Sequence, residues 1–89
     1  MKIQYDEQKR QTTLEQRGID FADAWQIFEG IHYTLEDERQ DYGEQRFITI
    51  GYMNKRMVIV AWTPRANDKR IISLRKANER EQAKFKQYL

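Results

Sequence analysis

Apolar residues are concentrated most densely in residues 57–63, a run of seven that contains no charged side chain. An uninterrupted run of this kind, rich in β-branched residues, is typical of a strand buried on both faces of a sheet. Pro64 follows directly. Because proline has no backbone N–H to offer a neighbouring strand, we expect the strand to end there. A polar connection then leads to a second short strand, predicted over residues 70–75.

The N-terminal part of the chain predicts a short alternating strand over residues 2–5 and then two helices. Asp6 is a suitable N-cap for the first helix, since its carboxylate can accept a free backbone N–H, and Gly18 is suited to end it. Asp20 is the corresponding cap of the second helix. Four apolar residues follow at the spacing of one buried helix face: Phe21, Ala24, Trp25 and Phe28. We interpret this second helix as the one that covers the sheet.

The remaining elements follow from alternation and capping. Residues 31–35 alternate between apolar and polar positions, which predicts a half-buried strand, and residues 36–44 are polar and turn-prone. Residues 46–52 predict a strand that forms a hairpin with the apolar run. Asn78 and Glu81 have the spacing of a capping box at the start of a C-terminal helix. The predicted order is β-α-α-β-β-β-β-α.

This order predicts an α+β fold. We expect an antiparallel sheet of four to five short strands, packed against two N-terminal helices and followed by a C-terminal helix. With 89 residues the chain is predicted to be a single domain, residues 1–89, with a small core. There is no cysteine and only one histidine, which excludes a disulfide framework, a thiolate metal site and a multi-histidine cluster. We therefore expect no metal and no cofactor.

Hydropathy predicts a protein without membrane contact. No apolar run approaches the roughly 20 residues of a membrane-spanning helix. The N-terminus also lacks the apolar core of a signal peptide, so a cytoplasmic location is expected.

Charge is divided unequally along the chain. Residues 1–45 hold five Lys and Arg against eleven Asp and Glu, a net −6, whereas residues 46–89 hold eleven against three, a net +8. A small domain with this asymmetry is expected to have one cationic face, which indicates a phosphate-rich partner. The alternative is that these charges only keep the surface solvated.

Four sequence blocks resemble the BrnT toxin family. They are Asp6 at the start of the first helix, Gly18–Ala24 with Phe28, Glu44-x-Arg46 leading to Ile50-Gly51, and Arg70-Ile71-Ile72-Ser73-x-Arg75-Lys76-Ala77 with Glu81. The last block is the most specific, and together they extend over essentially the whole chain. Two departures are Arg17, where family members often have histidine, and Leu74, where they have a small residue.

The resemblance implies a RelE-like fold and a ribonuclease toxin of a type II toxin–antitoxin system. The implied activity is a metal-independent RNA endonuclease that inhibits translation. The implied partners are an RNA substrate and a neutralising antitoxin of the BrnA type. That antitoxin would bind DNA, so the toxin would reach an operator only through it.

The residues are consistent with that chemistry. RNA carries its own nucleophile, the 2′-hydroxyl, whose attack on the adjacent phosphate leaves a 2′,3′-cyclic phosphate and a 5′-hydroxyl. The enzyme then needs cations around a phosphorane that gains negative charge, and arginine suits this because its planar fork binds phosphate bidentately. The predicted catalytic residues are Arg46, Arg65, Arg75 and Lys76. Lys69 and Arg70 are predicted to bind RNA.

Proton transfer has two candidate residues. Glu79 lies close in sequence to Arg75 and Lys76 and is a possible general base, or else a solvated carboxylate favoured by the helix dipole. Tyr88 is a possible general acid, or else an aromatic residue at the edge of the core. Two other functional classes remain open: a non-catalytic module that binds nucleic acid or peptide through the basic strand face, and a structural interaction domain.

Overall fold

The computed structural model describes residues 2–89, which form a five-stranded sheet and three α-helices. The strands are β1 (Ile3–Gln4), β2 (Tyr33–Glu36), β3 (Phe47–Met53), β4 (Arg56–Arg65) and β5 (Asp68–Lys76). The helices are α1 (Glu7–Arg17), α2 (Trp25–Glu29) and α3 (Glu79–Phe85), with single 3₁₀ turns at Phe21–Asp23 and Lys86–Tyr88. The predicted α+β class and element order are confirmed.

The sheet is mixed rather than wholly antiparallel. Its strand order is β1-β5-β4-β3-β2, and every neighbouring pair is antiparallel except β1 and β5. β1 pairs in parallel with β5, with Ile3 opposite Lys69, so the prediction of an antiparallel sheet is wrong for this strand. The pairing joins residues from opposite ends of the chain, and no local sequence pattern specifies its direction.

β4 does not end at Pro64, as the sequence analysis expected, but continues to Arg65. The last pair between β4 and β3 is Trp62 with Phe47, so that beyond Trp62 β4 pairs with β5 alone. A proline is tolerated there because one side of the strand no longer has a neighbour that needs its N–H. The strands β4 and β5 are therefore ten and nine residues long rather than short.

The sheet has apolar clusters on both faces, which confirms that β4 is buried on both sides. On one face, called the α2 face, Val58, Val60 and Trp62 pack with Phe21, Ala24 and Ile27. On the other, called the α3 face, Ile50, Met57 and Ile59 pack with Phe85 and Leu89. Alternate side chains of β4 thus enter two different clusters, as expected for a central strand.

The second predicted helix is broken into two pieces. Asp20 accepts a hydrogen bond from the backbone N–H of Ala22 and caps a 3₁₀ turn, after which α2 begins at Trp25. The break interrupts the predicted apolar stripe: Trp25 is 47% exposed, whereas Ile27 is fully buried. The prediction that Trp25 belongs to the core is therefore wrong, and Ile27 takes its place against the sheet.

The predicted caps of α1 and α3 are confirmed. Asp6 accepts hydrogen bonds from the backbone N–H groups of Gln8 and Lys9, and Gly18 ends α1 in the left-handed conformation, with φ of 70°. Asn78 and Glu81 form a complete capping box at the start of α3. Nowhere in residues 2–89 is a helix both long enough and apolar enough to cross a membrane.

Candidate functional site

The register of β5 on β4 assigns Arg75 to the α3 face. Arg75 pairs with Ile59, which belongs to the α3-face cluster, and Ser73 pairs with Ala61 two residues further along β4. Ser73 and Arg75 thus share one face of the sheet. Lys76 pairs instead with Val58, which belongs to the α2-face cluster. Arg75 and Lys76 are neighbours in sequence but lie on opposite faces of the sheet.

Arg46 and Arg65 are held together by a shared carboxylate. Glu44 Oε2 is 3.2 Å from Nε of Arg46, and Glu44 Oε1 is 3.1 Å from Nη2 of Arg65. Hydrogen bonds from Arg65 and then Arg46 lower the pKa of Glu44 below its ordinary value. The Arg46 guanidinium also lies 4.0 Å from the ring centroid of Tyr42. Two of the predicted site arginines therefore lie side by side at the same end of the sheet.

Thr63 connects this pair to Arg70. Its hydroxyl donates a 2.7 Å hydrogen bond to the carbonyl of Gln45 and accepts one of 3.3 Å from Arg65. Arg70 is the cross-strand partner of Thr63 and so lies on the same face. Within residues 2–89 Arg70 forms no ion pair. Arg65 thus contacts the buried Thr63, Arg46 is linked to Arg65 through Glu44, and Arg70 lies opposite Thr63 on the neighbouring strand.

Lys69 does not join Arg70. Its ammonium nitrogen lies 4.5 Å from the ring centroid of Trp62 and 5.2 Å from that of Phe28. Trp62 and Phe28 both belong to the α2-face cluster, so Lys69 and Arg70 are on opposite sides of β5. The ammonium group is stabilised there by two aromatic faces.

Arg75 is bound by a carboxylate of α3. Its Nη1 and Nη2 atoms lie 2.8 Å and 2.7 Å from the two carboxylate oxygens of Glu81, which also accepts the backbone N–H of Asn78 at 3.0 Å. The pKa of Glu81 is lowered to about 2, mainly by the hydrogen bonds from Arg75 and then by the one from the backbone N–H of Asn78. The Glu81 carboxylate raises the pKa of Arg75, opposed by burial and by the positive charge of Arg39 nearby.

Arg39 is a cation near Arg75 that the sequence analysis did not single out. It donates two hydrogen bonds of 2.8 Å to the buried carboxylate of Asp37, which also accepts one from the Tyr42 hydroxyl at 3.1 Å. The pKa of Asp37 is lowered mainly by the hydrogen bonds from the Arg39 side chain. Hydrogen bonds from the Arg39 backbone N–H and from Tyr42 lower it further. Both residues lie in a polar segment interpreted as a loop. The spacing of an acidic and a basic residue, Asp37-x-Arg39 like Glu44-x-Arg46, was the available signal.

The two candidates for proton transfer are both exposed. Glu79 lies in the first turn of α3 and forms no hydrogen bond or ion pair with any residue that the structure describes. The ring of Tyr88 stacks on Tyr33 with centroids 4.5 Å apart, and the residue is 48% exposed. Tyr33 and Arg75 belong to one cross-strand row, three strands apart. At ~4.8 Å per strand they are about 14 Å apart.

Residues 2–89 contain no cluster suited to a metal centre, and His32 lies against Phe28 of the α2-face cluster. No group of three or more His, Cys, Asp or Glu side chains in residues 2–89 could hold a metal ion. His32 is exposed, with its Nδ1 atom 2.8 Å from the carbonyl oxygen of Gly30 and its ring against Phe28. The chemistry available on the α3 face is therefore that of guanidinium groups, carboxylates and a tyrosine.

A sheet face with several guanidinium groups and no metal ligands has the character of a phosphate-binding surface. Residues 5–81 match a family described as ribonuclease toxin, BrnT, of type II toxin-antitoxin system. The chain belongs to this family, and the resemblance seen in the sequence is confirmed. It is accordingly a ribonuclease toxin with a cognate antitoxin as its partner. Comparison with curated proteins finds no match.

Proposed function

We propose that this toxin is a metal-independent RNA endonuclease that stops translation by cutting RNA in the cytoplasm. The 2′-hydroxyl attacks the adjacent phosphate and the 5′-oxygen leaves, which produces a 2′,3′-cyclic phosphate and a 5′-hydroxyl. The single observation that carries the proposal is that Arg46 and Arg65, linked through Glu44, lie at the same end and on the same face of the sheet as Arg70. Two helices followed by four antiparallel strands also support the RelE-like fold that the resemblance implies.

The three arginines suit the electrostatic demand of the reaction. The phosphorane gains negative charge in the transition state, and donors already aimed at it lower the barrier without reorganising. Glu44 is a positioning residue in this proposal: it fixes the guanidinium groups of Arg46 and Arg65 next to each other. It neutralises one of the three positive charges, so the group retains a net charge of about +2 for phosphate.

Arg75 has a different part in the proposal. Its guanidinium is occupied by Glu81, and a phosphate that binds Arg75 must compete with that carboxylate. Both Glu81 and Glu44 have lowered pKa values, so neither is a strong base near neutral pH. Glu79 and Tyr88 bind none of these arginines and remain the proposed proton-transfer residues. Tyr88 stacks on Tyr33, about 14 Å from Arg75, and would have to move toward the arginines to act.

Lys69 and Lys76 are the residues that fit the proposal least well. Both lie on the α2 face, whereas the arginines lie on the α3 face. Either lysine would contact RNA bound at the arginines only if the RNA passed around the edge of the sheet that is formed by β1 and the rest of β5. The catalytic role proposed for Lys76 thus depends on that path, while the roles of the arginines do not.

Inhibition by the antitoxin is proposed to work by occlusion. A partner of the BrnA type would place acidic or hydrogen-bonding side chains against Arg46, Arg65 and Arg75, where the substrate phosphates would otherwise bind. The antitoxin would also supply the DNA-binding part of the complex, so that operator recognition belongs to the complex and not to this chain.

The proposed function is tested by incubating the antitoxin-free toxin with RNA in excess EDTA and analysing the ends of the products. We expect cleavage to persist and to leave 2′,3′-cyclic phosphate and 5′-hydroxyl ends. Activity that disappears in EDTA and returns with a divalent ion would reject the mechanism. Tight binding of RNA that stays intact would favour the non-catalytic binding module instead.

A further inference from the structure

A second cationic region lies at the other end of the α3 face, between the β3–β4 hairpin and the C-terminal helical segment. It is a groove of about 450 Å³. The residues that line it are Tyr52, Lys55, Arg56, Met57, Gln82 and Lys86. Three of them are cations and none is acidic. Met57 is buried and belongs to the α3-face cluster, so the groove has an apolar floor between charged walls.

Within residues 2–89, the cations of this groove have no carboxylate partner, unlike Arg46, Arg65 and Arg75. In the part of the chain that the structure describes, Lys55, Arg56 and Lys86 take part in no ion pair. Arg46, Arg65 and Arg75, by contrast, each bind a glutamate. Uncompensated like charges that converge on one concavity raise its positive potential and attract an anionic ligand. Such a ligand would displace no protein carboxylate on binding.

The hairpin tip that carries Lys55 is held in a defined position. Asn54 and Lys55 form its two-residue turn with φ of 52° and 65°, the left-handed geometry of a tight hairpin. The side chain of Gln26 in α2 accepts the backbone N–H of Asn54 at 2.9 Å and donates to its Oδ1 at 3.0 Å. One wall of the groove is therefore a turn tied to a helix rather than a free loop.

An exposed aromatic side chain completes the groove. Tyr52 is 42% exposed and lies two residues beyond Ile50 on the same face of β3. Stacking of a base on an aromatic ring, together with cations that track the backbone, is the general means by which proteins hold single-stranded nucleic acid. An acidic peptide would use the cations of this groove but has no base to stack on the tyrosine.

We propose that this groove binds single-stranded RNA as a second contact site for the toxin's substrate. The inference rests on the proposed function, because it takes RNA as the ligand of the α3 face. β3 has seven residues, so at ~3.3 Å per residue the groove lies roughly 20 Å from the arginines at the other end of the sheet. An RNA that contacts both must extend over several nucleotides, with α3 beside its path.

The test measures binding separately from cleavage. A fluorescent single-stranded 2′-O-methyl RNA has no free 2′-hydroxyl and stays intact, and its anisotropy reports binding across a salt series. The groove variant is Lys55→Ala with Lys86→Ala. We expect its affinity to fall about tenfold and the slope of log affinity against log salt to become shallower by about 1.4, since each phosphate contact on a single strand contributes ~0.7.

A matched control removes the same charge outside the groove. Lys2→Ala with Lys9→Ala takes two exposed lysines from the N-terminal segment, neither of which lines the groove. This pair should leave the salt slope nearly unchanged. Tyr52→Phe should bind like the wild type, whereas Tyr52→Ala should bind at least about fivefold more weakly, because the stacking surface is lost. A trinucleotide probe should bind the wild type and the groove variant with more similar affinities.

The outcomes separate this inference from the proposed function. If the groove variant matches its control in affinity and slope, the inference is overturned. It is also overturned if the groove variant loses affinity only for the antitoxin, since the groove would then be part of the protein interface. If the wild type binds the probe through the groove yet cuts no natural RNA, the proposed function fails and the groove assignment stands.

Discussion

Arg75 and Glu81 join strand β5 to the first turn of α3 through two hydrogen bonds of 2.8 Å and 2.7 Å. Glu81 at the same time completes the capping box with Asn78, so one carboxylate starts the helix and holds the arginine. α3 has no fully buried residue. A helix with so little buried surface depends on such polar contacts for its position, and it lies beside the sheet face proposed to bind RNA.

Replacing Arg75 is expected to impair RNA cleavage much more than replacing Lys76. Removal of one donor to a developing oxyanion generally costs about 10²–10³ in rate, and we expect Arg75→Ala to fall in this range. Lys76→Ala is the natural control, since it removes a neighbouring cation on the opposite face. Cleavage rates should be compared with thermal unfolding of each variant. A folded Arg75→Ala variant that cuts RNA at the wild-type rate would remove Arg75 from the site.

Glu81→Gln is expected to strengthen RNA binding while weakening the fold slightly. Glutamine can still complete a capping box, so the start of α3 is preserved, but Arg75 no longer has an anionic partner. Because both side chains are partly exposed, the loss of the ion pair should cost at most about 1 kcal/mol. Binding of a non-cleavable RNA and thermal unfolding measure the two effects. Glu79→Gln, in the same turn, is the control, and equal affinities for the two variants would contradict the competition between Glu81 and phosphate.

The free energy of unfolding is expected to decrease as the pH is lowered below the ordinary pKa of a glutamate. The pKa of Glu81 is lowered from 4.5 to about 2 in the folded state, so folding favours the ionised form. Its contribution is therefore complete above pH 4.5 and is lost as pH falls toward 2. Asp37 and Glu44, also with lowered pKa values, act in the same direction. Urea unfolding across this range should show a shallower decline for Glu81→Gln than for the wild type. Identical pH profiles would contradict the assignment.

The antitoxin is expected to abolish the salt-sensitive RNA binding of the toxin. Phosphate contacts supply most non-specific affinity, and the C-terminal half of the chain carries the positive charge for them. Titrating the partner into a complex of toxin and labelled RNA should release the RNA and stop cleavage together. A partner that binds tightly while RNA binding and cleavage both persist would show that inhibition does not act by covering Arg46, Arg65 and Arg75.

Gly51→Ala is expected to destabilise the fold by about 1–3 kcal/mol, the usual cost of adding a methyl group to a well-packed core. A Cβ at Gly51 would lie 2.8 Å from Cγ2 of Ile27 and 3.3 Å from Cβ of His32, so α2 would have to move away from β3. Gly30→Ala is the control, because its Cβ would meet only a carbonyl oxygen, that of Gln26 at 3.5 Å. Urea unfolding of both variants checks the prediction, and equal stabilities would contradict the close packing.

The local elements were predictable because their signals are local. The run 57–63 identified a strand buried on both faces, since only a central strand can bury every side chain of an uninterrupted apolar stretch. Asp6, Gly18 and the capping box of Asn78 and Glu81 marked helix ends through contacts within a few residues. The positive C-terminal half and its arginine-rich block also indicated a phosphate partner before any geometry was known.

The composition of the candidate site was decided by tertiary structure. The arginines were identified from the sequence, but the grouping of Arg46 with Arg65 depends on Glu44. Which of the neighbours Lys69 and Arg70 shares a face with those arginines depends on the register of β5. These facts follow from strand register. A register is set by packing between segments far apart in the chain, and a shift of one residue would move every side chain to the other face.

The parallel pairing of β1 and the break before α2 have the same origin. Ile3 pairs with Lys69, which is far from it in the sequence. Ile27 rather than Trp25 is buried against the sheet, because α2 packs closely over Gly51. Sequence by itself determined which segments form helices and strands and where charge accumulates. Only the packed structure decided which side chains share a face, because that choice minimises the free energy of contacts between distant segments rather than of any one segment alone.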